Sequence, residues 1–253
     1  MDSFFSSLFE SVAGPDHRRR SSWSFDTLKN FRQISPRVQN HLKLVYLTLC
    51  CTLFASAVGA YVHILWNIGG WLTTFGFLGC IVALVAFPEK EEKMRVRLLM
   101  VAGLLEGASV GPLIQRAIEV NPSILVTAFV GCAIAFGCFS MAAMLARRRE
   151  YLYLGGLLSA GLSILLWMQF ASFLFGASMS VFMFEIYFGL LIFVGYIVFD
   201  TQEIIEKAHK GDMNYVVHAM TLFTDFVGLF VRVLFIMLKN AVEKKEKERK
   251  KRC

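Results

Sequence analysis

Two aspartates stand within or at the end of long apolar stretches in the last third of the chain. Asp200 ends the apolar run 181–199, and Asp225 lies in the middle of the run 215–238. Both runs are long enough for a helix to cross a bilayer, which takes about 20 residues. A carboxylate inside a membrane span costs about 2.5 to 3.5 kcal/mol on insertion scales, and such residues mark ion pathways and proton relays. The two positions are therefore candidates for proton or cation chemistry within a membrane.

The hairpin that joins the two runs brings these aspartates to a similar depth. It turns near Lys210, Gly211 and Asp212, with Asp200 and Asp225 at similar distances along the chain on either side. Each helix rises about 1.5 Å per residue, so antiparallel partners at these positions lie opposite each other. Two carboxyl groups at one depth in a low dielectric cannot both ionise cheaply, so we expect a shared proton and a pH-sensitive latch. The alternative is that each aspartate separately reaches interfacial water or caps a helix.

The composition indicates an all-α polytopic membrane protein. Of the 253 residues, 56% are hydrophobic, the mean hydropathy is +0.57, and the apolar residues come in long blocks. The net charge of +7 lies almost wholly outside those blocks, so it indicates orientation and contact with membrane lipid, and no nucleic-acid partner. The six cysteines form no CxxC pair or spaced framework, which favours buried apolar residues over disulfides or metal ligands.

The chain divides into a cytosolic arm at 1–40, a membrane bundle at 41–238 and a basic tail at 239–253. Small residues recur inside the bundle, as at Gly103, Gly107 and Gly111, and their spacing predicts close helix packing. The breaks between apolar stretches are short and carry turn residues. Seven spans are predicted, at 42–62, 70–87, 97–114, 123–146, 151–172, 181–200 and 215–238.

Three further charged residues fall inside the predicted spans and are candidates for an ion pathway. They are Glu106 in the third span, Glu185 in the sixth and Arg232 in the seventh. Intramembrane charges commonly mark such pathways. For the two glutamates, an interface-facing or protonated carboxyl is an equal alternative.

The distribution of Lys and Arg predicts a cytosolic N-terminus. The arm through Lys43 carries seven of these residues, and the loops at 88–97, 147–149 and 201–214 carry four, three and two. The intervening loops carry zero, one and zero, so the positive-inside rule favours this orientation. Strict alternation through seven spans then places the tail on the other side, although it carries eight basic residues. Either the last span crosses against the rule, or it re-enters and returns the tail to the cytosol.

The basic tail is a candidate for partner binding and for retrieval to the endoplasmic reticulum. A run of this kind binds anionic lipid or resembles a basic helix of calmodulin-target type, and a solvated charge run is the alternative. Its lysines fourth and third from the end match the dilysine retrieval signal. The residues concerned are Lys244, Lys245, Lys247, Arg249, Lys250 and Lys251.

The sequence around the two aspartates resembles the signature of the Bax inhibitor-1 family, the transmembrane Bax-inhibitor-motif proteins. A Phe-Asp-Thr-Gln-Glu turn followed by an Asp-Phe pair in the next helix is specific to that family, and the resemblance covers nearly the whole chain. The arm and tail are most similar to the plant branch. The matching stretches are His41 to Tyr46, Glu106 to Pro112, Phe199 to Ala208, Gly211-Asp212 and Leu222 to Phe226.

The resemblance implies a seven-helix bundle with the last helix at its centre. It also implies residence in the endoplasmic-reticulum membrane, suppression of programmed cell death under stress, and a pH-dependent calcium leak. In that family the paired aspartates are the pH sensor, so Asp200 and Asp225 become the expected gate and the candidate calcium ligands. Calcium is then a permeant ion and no cofactor is expected. Cell-death regulators or other membrane proteins are the implied partners.

Two other classes of function remain open at this point. A non-conducting scaffold or regulator that acts through its tail shares every feature except a need for the aspartate pair. An intramembrane aspartyl protease also needs two aspartates on late helices, but those enzymes carry Gly-x-Gly-Asp at the second one. This chain reads Leu222-Phe223-Thr224-Asp225, so we expect no enzyme of that kind.

Overall fold

The computed structural model describes residues 35–88, 91–145, 154–176 and 178–252, and their regular structure is entirely α-helical. The first 34 residues of the arm and Cys253 lie outside this range. Each helix overlaps one predicted span, which confirms the all-α polytopic class, although the third, sixth and seventh extend well beyond the predicted bounds. The helices are α1 (Pro36–Trp66), α2 (Trp71–Ala86), α3 (Glu92–Val120), α4 (Pro122–Leu145), α5 (Leu154–Phe175), α6 (Met179–Lys210) and α7 (Tyr215–Arg252).

Local sequence accounts for where several helices begin and end. Pro36 opens α1, so the bundle starts five residues earlier than the predicted boundary at 41, and proline suits this position because the first helical N–H has no partner to lose. Ser178 caps α6, since its side chain accepts a hydrogen bond from the Val181 amide. Six helices are long and apolar enough to cross a membrane. The exception, α2, has 16 residues, or about 24 Å, less than the ~30 Å hydrocarbon core.

Successive helices run in opposite directions. The contacts between α1 and α3 follow increasing residue number in both helices, from Thr52 against Gly103 to His63 against Gly111. These two helices are therefore parallel, and α2 runs in the opposite direction between them in the chain. In α6 and α7 the packed phenylalanine pair is Phe182 and Phe235, at 4.9 Å between ring centroids. Because Asp200 also meets Asp225, these two helices are antiparallel.

The last helix lies at the centre of the bundle, as the family resemblance implied. It packs against α1, α3, α4 and α6. Its most apolar window is 44% buried, a larger share than in any other span. Leu222, Phe223 and Leu234 are fully enclosed.

Glycines bring the backbones of α1 and α3 into direct contact. A Cβ atom built on Gly107 would lie 1.9 Å from the carbonyl oxygen of Ser56, and one on Gly59 would lie 1.9 Å from that of Leu104. The predicted role of Gly103, Gly107 and Gly111 in close packing is therefore confirmed. Not every glycine in the bundle has this packing role. A Cβ on Gly131 or Gly137 of α4 would meet nothing within 4 Å.

The basic tail is a direct continuation of α7, which runs without interruption for 38 residues. That length is about 57 Å, well beyond the thickness of a bilayer. The Lys245 ammonium group donates to the carbonyl of Val120, which closes α3 at the end of the bundle opposite Pro36. The described part of α7 thus crosses the bundle once, and the alternative of re-entry is not what the fold adopts. Pro36 and the tail therefore lie at opposite ends of the bundle.

Reporters fused before Pro36 and after Cys253 are therefore expected on opposite sides of the membrane. The physical reason is that seven alternating helices separate them, with no break in α7. In sealed vesicles, a membrane-impermeant label should reach one reporter, and the other only after the vesicles are permeabilised. A reporter in the hairpin at Gly211, on the side of Pro36, serves as the control. Labelling of both terminal reporters in intact vesicles would show that the last span turns back.

Candidate functional site: a buried aspartate pair

The α6–α7 hairpin sets the depth of both aspartates. Gly211 ends α6 in the left-handed conformation, with φ of 101°, which glycine adopts without steric cost. Asn214 then caps α7 by accepting a hydrogen bond from the Val217 amide at 3.4 Å. Asp200 lies ten residues before Lys210 and Asp225 ten residues after Tyr215, so each stands about 15 Å from the turn.

The two carboxyl groups meet at the interface between α6 and α7. Asp200 is 6% exposed and Asp225 is 5% exposed, and their side chains lie within hydrogen-bonding distance of each other. The Oδ2 atom of Asp225 is buried without a hydrogen-bond donor from the described residues. An ionised carboxylate only accepts hydrogen bonds, so this contact forms when one of the two groups is protonated. Two buried carboxyl groups in such contact can share one proton.

Neighbouring polar groups hold α6 against α4 beside the pair. Gln202 donates from Nε2 to the carbonyl of Ala143 at 2.7 Å. Thr201 donates to the Ile197 carbonyl at 2.7 Å, and its hydroxyl lies 3.5 Å from that of Ser140. These contacts flank Asp200 and fix the rotation of α6. Thr201 and Gln202 belong to the Phe-Asp-Thr-Gln-Glu stretch of the family resemblance, which lies inside helix α6 and not in a turn, and no sequence argument had assigned them a partner.

Arg232 makes a second polar contact between the same two helices, and Glu185 lies near it without forming an ion pair within 4 Å. Arg232 donates from Nη1 to the carbonyl of Gly228 at 2.9 Å, and its guanidinium lies 4.4 Å from the centre of the Phe193 ring. Glu185 is close enough to Arg232 to interact electrostatically, although its Oε1 and the Arg232 Nε are buried without a hydrogen bond between them. The guanidinium fills the space left by Gly189, where a Cβ would lie 2.2 Å from Nε.

Glu106 does not join either group. It is partly buried on α3, and within the described ranges no hydrogen bond or ion pair is formed by its carboxyl. Of the three charges that we predicted for an ion pathway, the fold therefore places Glu185 and Arg232 near each other without an ion pair and leaves Glu106 apart. The periodicity of a single span could not distinguish these outcomes, because they depend on which helices pack together.

Two buried contacts at the start of α7 were not predicted from the sequence. His41 Nε2 lies 2.9 Å from His218 Nδ1, with both rings enclosed, and His218 Nε2 is 3.9 Å from the Asp212 carboxylate. Arg95 is 4% exposed and donates from Nη1 to the side-chain oxygen of Asn214 at 3.0 Å. These contacts attach α1 and α3 to the beginning of the central helix. The only sequence signal was His41 at the opening of the first family motif.

The two carboxyl groups of the pair offer at most four oxygen atoms to a cation. Calcium takes six to eight oxygen ligands, whereas no group of three or more His, Cys, Asp or Glu side chains capable of holding a metal occurs in the part of the chain that the structure describes. Two carboxylates can still attract a passing cation. Weak coordination is what permeation requires, since a conducted ion must also leave.

The candidate tail residues all lie on the exposed extension of α7. Lys244, Lys245 and Lys247 are solvent-exposed, as are Arg249, Lys250 and Lys251. Only Lys245 of this set makes a described contact with another helix, at Val120.

Comparison with known proteins identifies the family. Residues 38–242 match the model of the family described as inhibitor of apoptosis-promoting Bax1. Bax inhibitor 1 of Arabidopsis thaliana is 69% identical over 240 residues, which cover 95% of each chain, and that of Oryza sativa subsp. japonica is 64% identical over the full length of both chains. Bax inhibitor 1 of Bos taurus is 42% identical, covering 89% of this chain and 97% of the relative. The chain belongs to the Bax inhibitor-1 family, with higher identity to these plant members than to the bovine one.

Proposed function

We propose that this protein suppresses programmed cell death from the endoplasmic-reticulum membrane, and that Asp200 and Asp225 gate a pH-sensitive calcium leak through the bundle. The observation that carries the proposal is the contact of two buried carboxyl groups between α6 and the central helix α7. The part that concerns cell death rests on the relatives, which are named Bax inhibitor 1.

The proposed gate works by the charge of the pair. With one proton, the carboxyl groups hydrogen-bond and hold α6 against α7. Loss of that proton puts two negative charges at one point in a low dielectric, which separates the helices. Calcium is the permeant ion, and the two carboxylates attract it once the helices have separated. Further acidification protonates both carboxyl groups. This removes the charge-assisted hydrogen bond, so the contact between α6 and α7 is weakened at low pH as well.

Calcium flux from liposomes that contain the purified full chain tests the conducting function. We expect flux to change with pH over the range in which the pair loses its shared proton. A protein that is folded but passes no calcium at any pH would favour the alternative function, a non-conducting regulator. Survival of cells that are forced to express Bax tests the cell-death function separately, because that readout does not require flux.

The exposed basic tail supports a second proposal, the binding of anionic membrane or of calmodulin. Residues 239–252 carry eight basic and three acidic side chains, on a helix that is open to solvent beyond Val242. Calmodulin binding and dilysine retrieval both need a cytosolic tail, whereas the basic loops favour a cytosolic arm. The fold separates these two ends, so the labelling experiment described above decides between them.

Deletion of residues 244–253 is expected to abolish binding of the protein to anionic vesicles and to calmodulin while the bundle stays folded. Each basic residue near an anionic surface contributes about 1 kcal/mol, and the deletion removes seven of the tail's eight. Cosedimentation with phosphatidylserine vesicles and calmodulin pull-down measure the two kinds of binding. As a matched control, Glu246→Lys should strengthen binding. Equal binding by the truncated and full-length proteins would show that the tail is only a solvated charged segment and binds neither partner.

A further inference from the structure

An apolar groove of about 490 Å³ runs along the side of the bundle, away from the aspartate pair's own contacts. Four helices line it: α1, α3, α4 and α7. Phe226 and Phe230 of the central helix form part of its lining and are buried. Tyr61 on α1 and Val126 on α4 also line it and are 61% and 62% exposed. The groove therefore opens on the surface that faces the hydrocarbon of the membrane.

The last turn of α3, which contributes Ile118 to one end of this groove, contacts a basic residue. Ile118 lines the groove, and two residues further along α3 the carbonyl of Val120 accepts a hydrogen bond from Lys245. A lysine ammonium group has three donor hydrogens, so two remain after this bond. The tail that carries Lys245 has a clear excess of positive charge, while Arg116 and Glu119 near the end of α3 offset each other.

We infer that this groove binds one acyl chain of an anionic phospholipid, with the phosphate held by Lys245. The apolar lining suits a chain, and lipid hydrocarbon surrounds a surface of this kind within the membrane. Lipid tails are as apolar as the groove, so burial of apolar area provides little net driving force there. Selectivity must then come from the headgroup, which is where the fold supplies a positive charge.

A substitution that fills the groove tests the site for the chain. Ala57 lines the groove and is exposed, so Ala57→Trp adds a bulky ring without entering the buried core. Ala171→Trp on α5, also at an exposed position, is the matched control. Full-length protein is released from nanodiscs that contain equal phosphatidylglycerol and phosphatidylcholine with identical chains, and retained lipid is counted by native mass spectrometry.

Wild type and Ala171→Trp are expected to retain one lipid, predominantly phosphatidylglycerol, and Ala57→Trp is expected to lose it whichever headgroup it carries. Thermal unfolding of both variants verifies that they are folded. If Ala57→Trp is folded and retains as much lipid as Ala171→Trp, the groove is not the binding site and the inference fails.

Charge reversal at Lys245 tests the headgroup contact without altering the groove. We expect Lys245→Glu to lower the ratio of retained phosphatidylglycerol to phosphatidylcholine about fivefold, the effect of one surface ion pair at the upper end of its range. Lys247→Glu makes the same charge change on the same exposed helix, at a residue without a described contact, and should leave the ratio nearly unchanged. Equal effects of the two substitutions would mean diffuse attraction by the tail and would overturn the assignment of Lys245.

Discussion

Calcium flux through the Asp200→Asn or the Asp225→Asn protein is expected to be low and nearly independent of pH. An asparagine amide donates a hydrogen bond to the remaining carboxylate whether or not a proton is present. Each substitution therefore mimics the closed, singly protonated pair. It also removes one of the two carboxyl groups that share the proton. Flux from liposomes, measured across the pH range in which wild type responds, checks the result.

The double substitution should add little to either single one. The two side chains are in contact, and residues in one hydrogen-bonded unit show interaction energies of about 0.5 to 3 kcal/mol. Asp212→Asn serves as the matched control, because Asp212 lies in the same hairpin and is 47% exposed. That variant should keep the wild-type pH response.

Independent and additive effects of the two substitutions would show that the aspartates are not coupled, even if each alters the flux. An unchanged pH profile in both single variants would exclude the pair as the sensor. Neither result would affect the assignment of the chain to its family, which rests on residues 38–242 as a whole.

Substituting Gly107 with alanine is expected to destabilise the bundle strongly. The new Cβ atom would lie 1.9 Å from the carbonyl oxygen of Ser56, and backbone atoms in two packed helices cannot move aside independently. Overpacking of this kind typically costs about 1 to 3 kcal/mol and occasionally more, so we expect the midpoint of thermal unfolding to fall by about 5 °C or more.

Gly131→Ala provides the control, because it introduces the same methyl group into a helix where it meets nothing within 4 Å. Its unfolding midpoint should equal or slightly exceed that of wild type, since alanine favours a helix over glycine by roughly 0.5 to 1 kcal/mol. If Gly107→Ala unfolded at the same temperature as Gly131→Ala, α1 and α3 would not pack at the distance described.

The sequence by itself determined the class of the protein, the seven helices between Pro36 and Arg252 and the depth of the aspartate pair. Long apolar blocks have few alternatives to membrane helices. The rise per residue of a helix is constant, so the position of Asp200 relative to Asp225 follows from counting residues on either side of a short hairpin. The capping residues Ser178, Gly211 and Asn214 act within a few residues and could be interpreted locally.

Tertiary structure alone decided which distant residues meet. His41 and His218 are 177 positions apart, and Arg95 and Asn214 are 119 apart, so neither contact follows from spacing along the chain. Tertiary structure also decided which glycines lie at helix contacts, since a Cβ on Gly107 would meet the backbone of α1 whereas one on Gly131 would meet nothing within 4 Å.

Tertiary structure also decided at which end of the bundle the last helix finishes. Charge counting predicted a cytosolic arm but could not tell a crossing last span from a re-entrant one, because both satisfy local hydropathy. The unbroken course of α7, with Lys245 bonded to the far end of α3, resolved that choice. The groove between four helices had no sequence signature, since its lining residues are apolar side chains like those of the core. Whether such side chains fill the interior or line an open groove depends on how closely the helices pack.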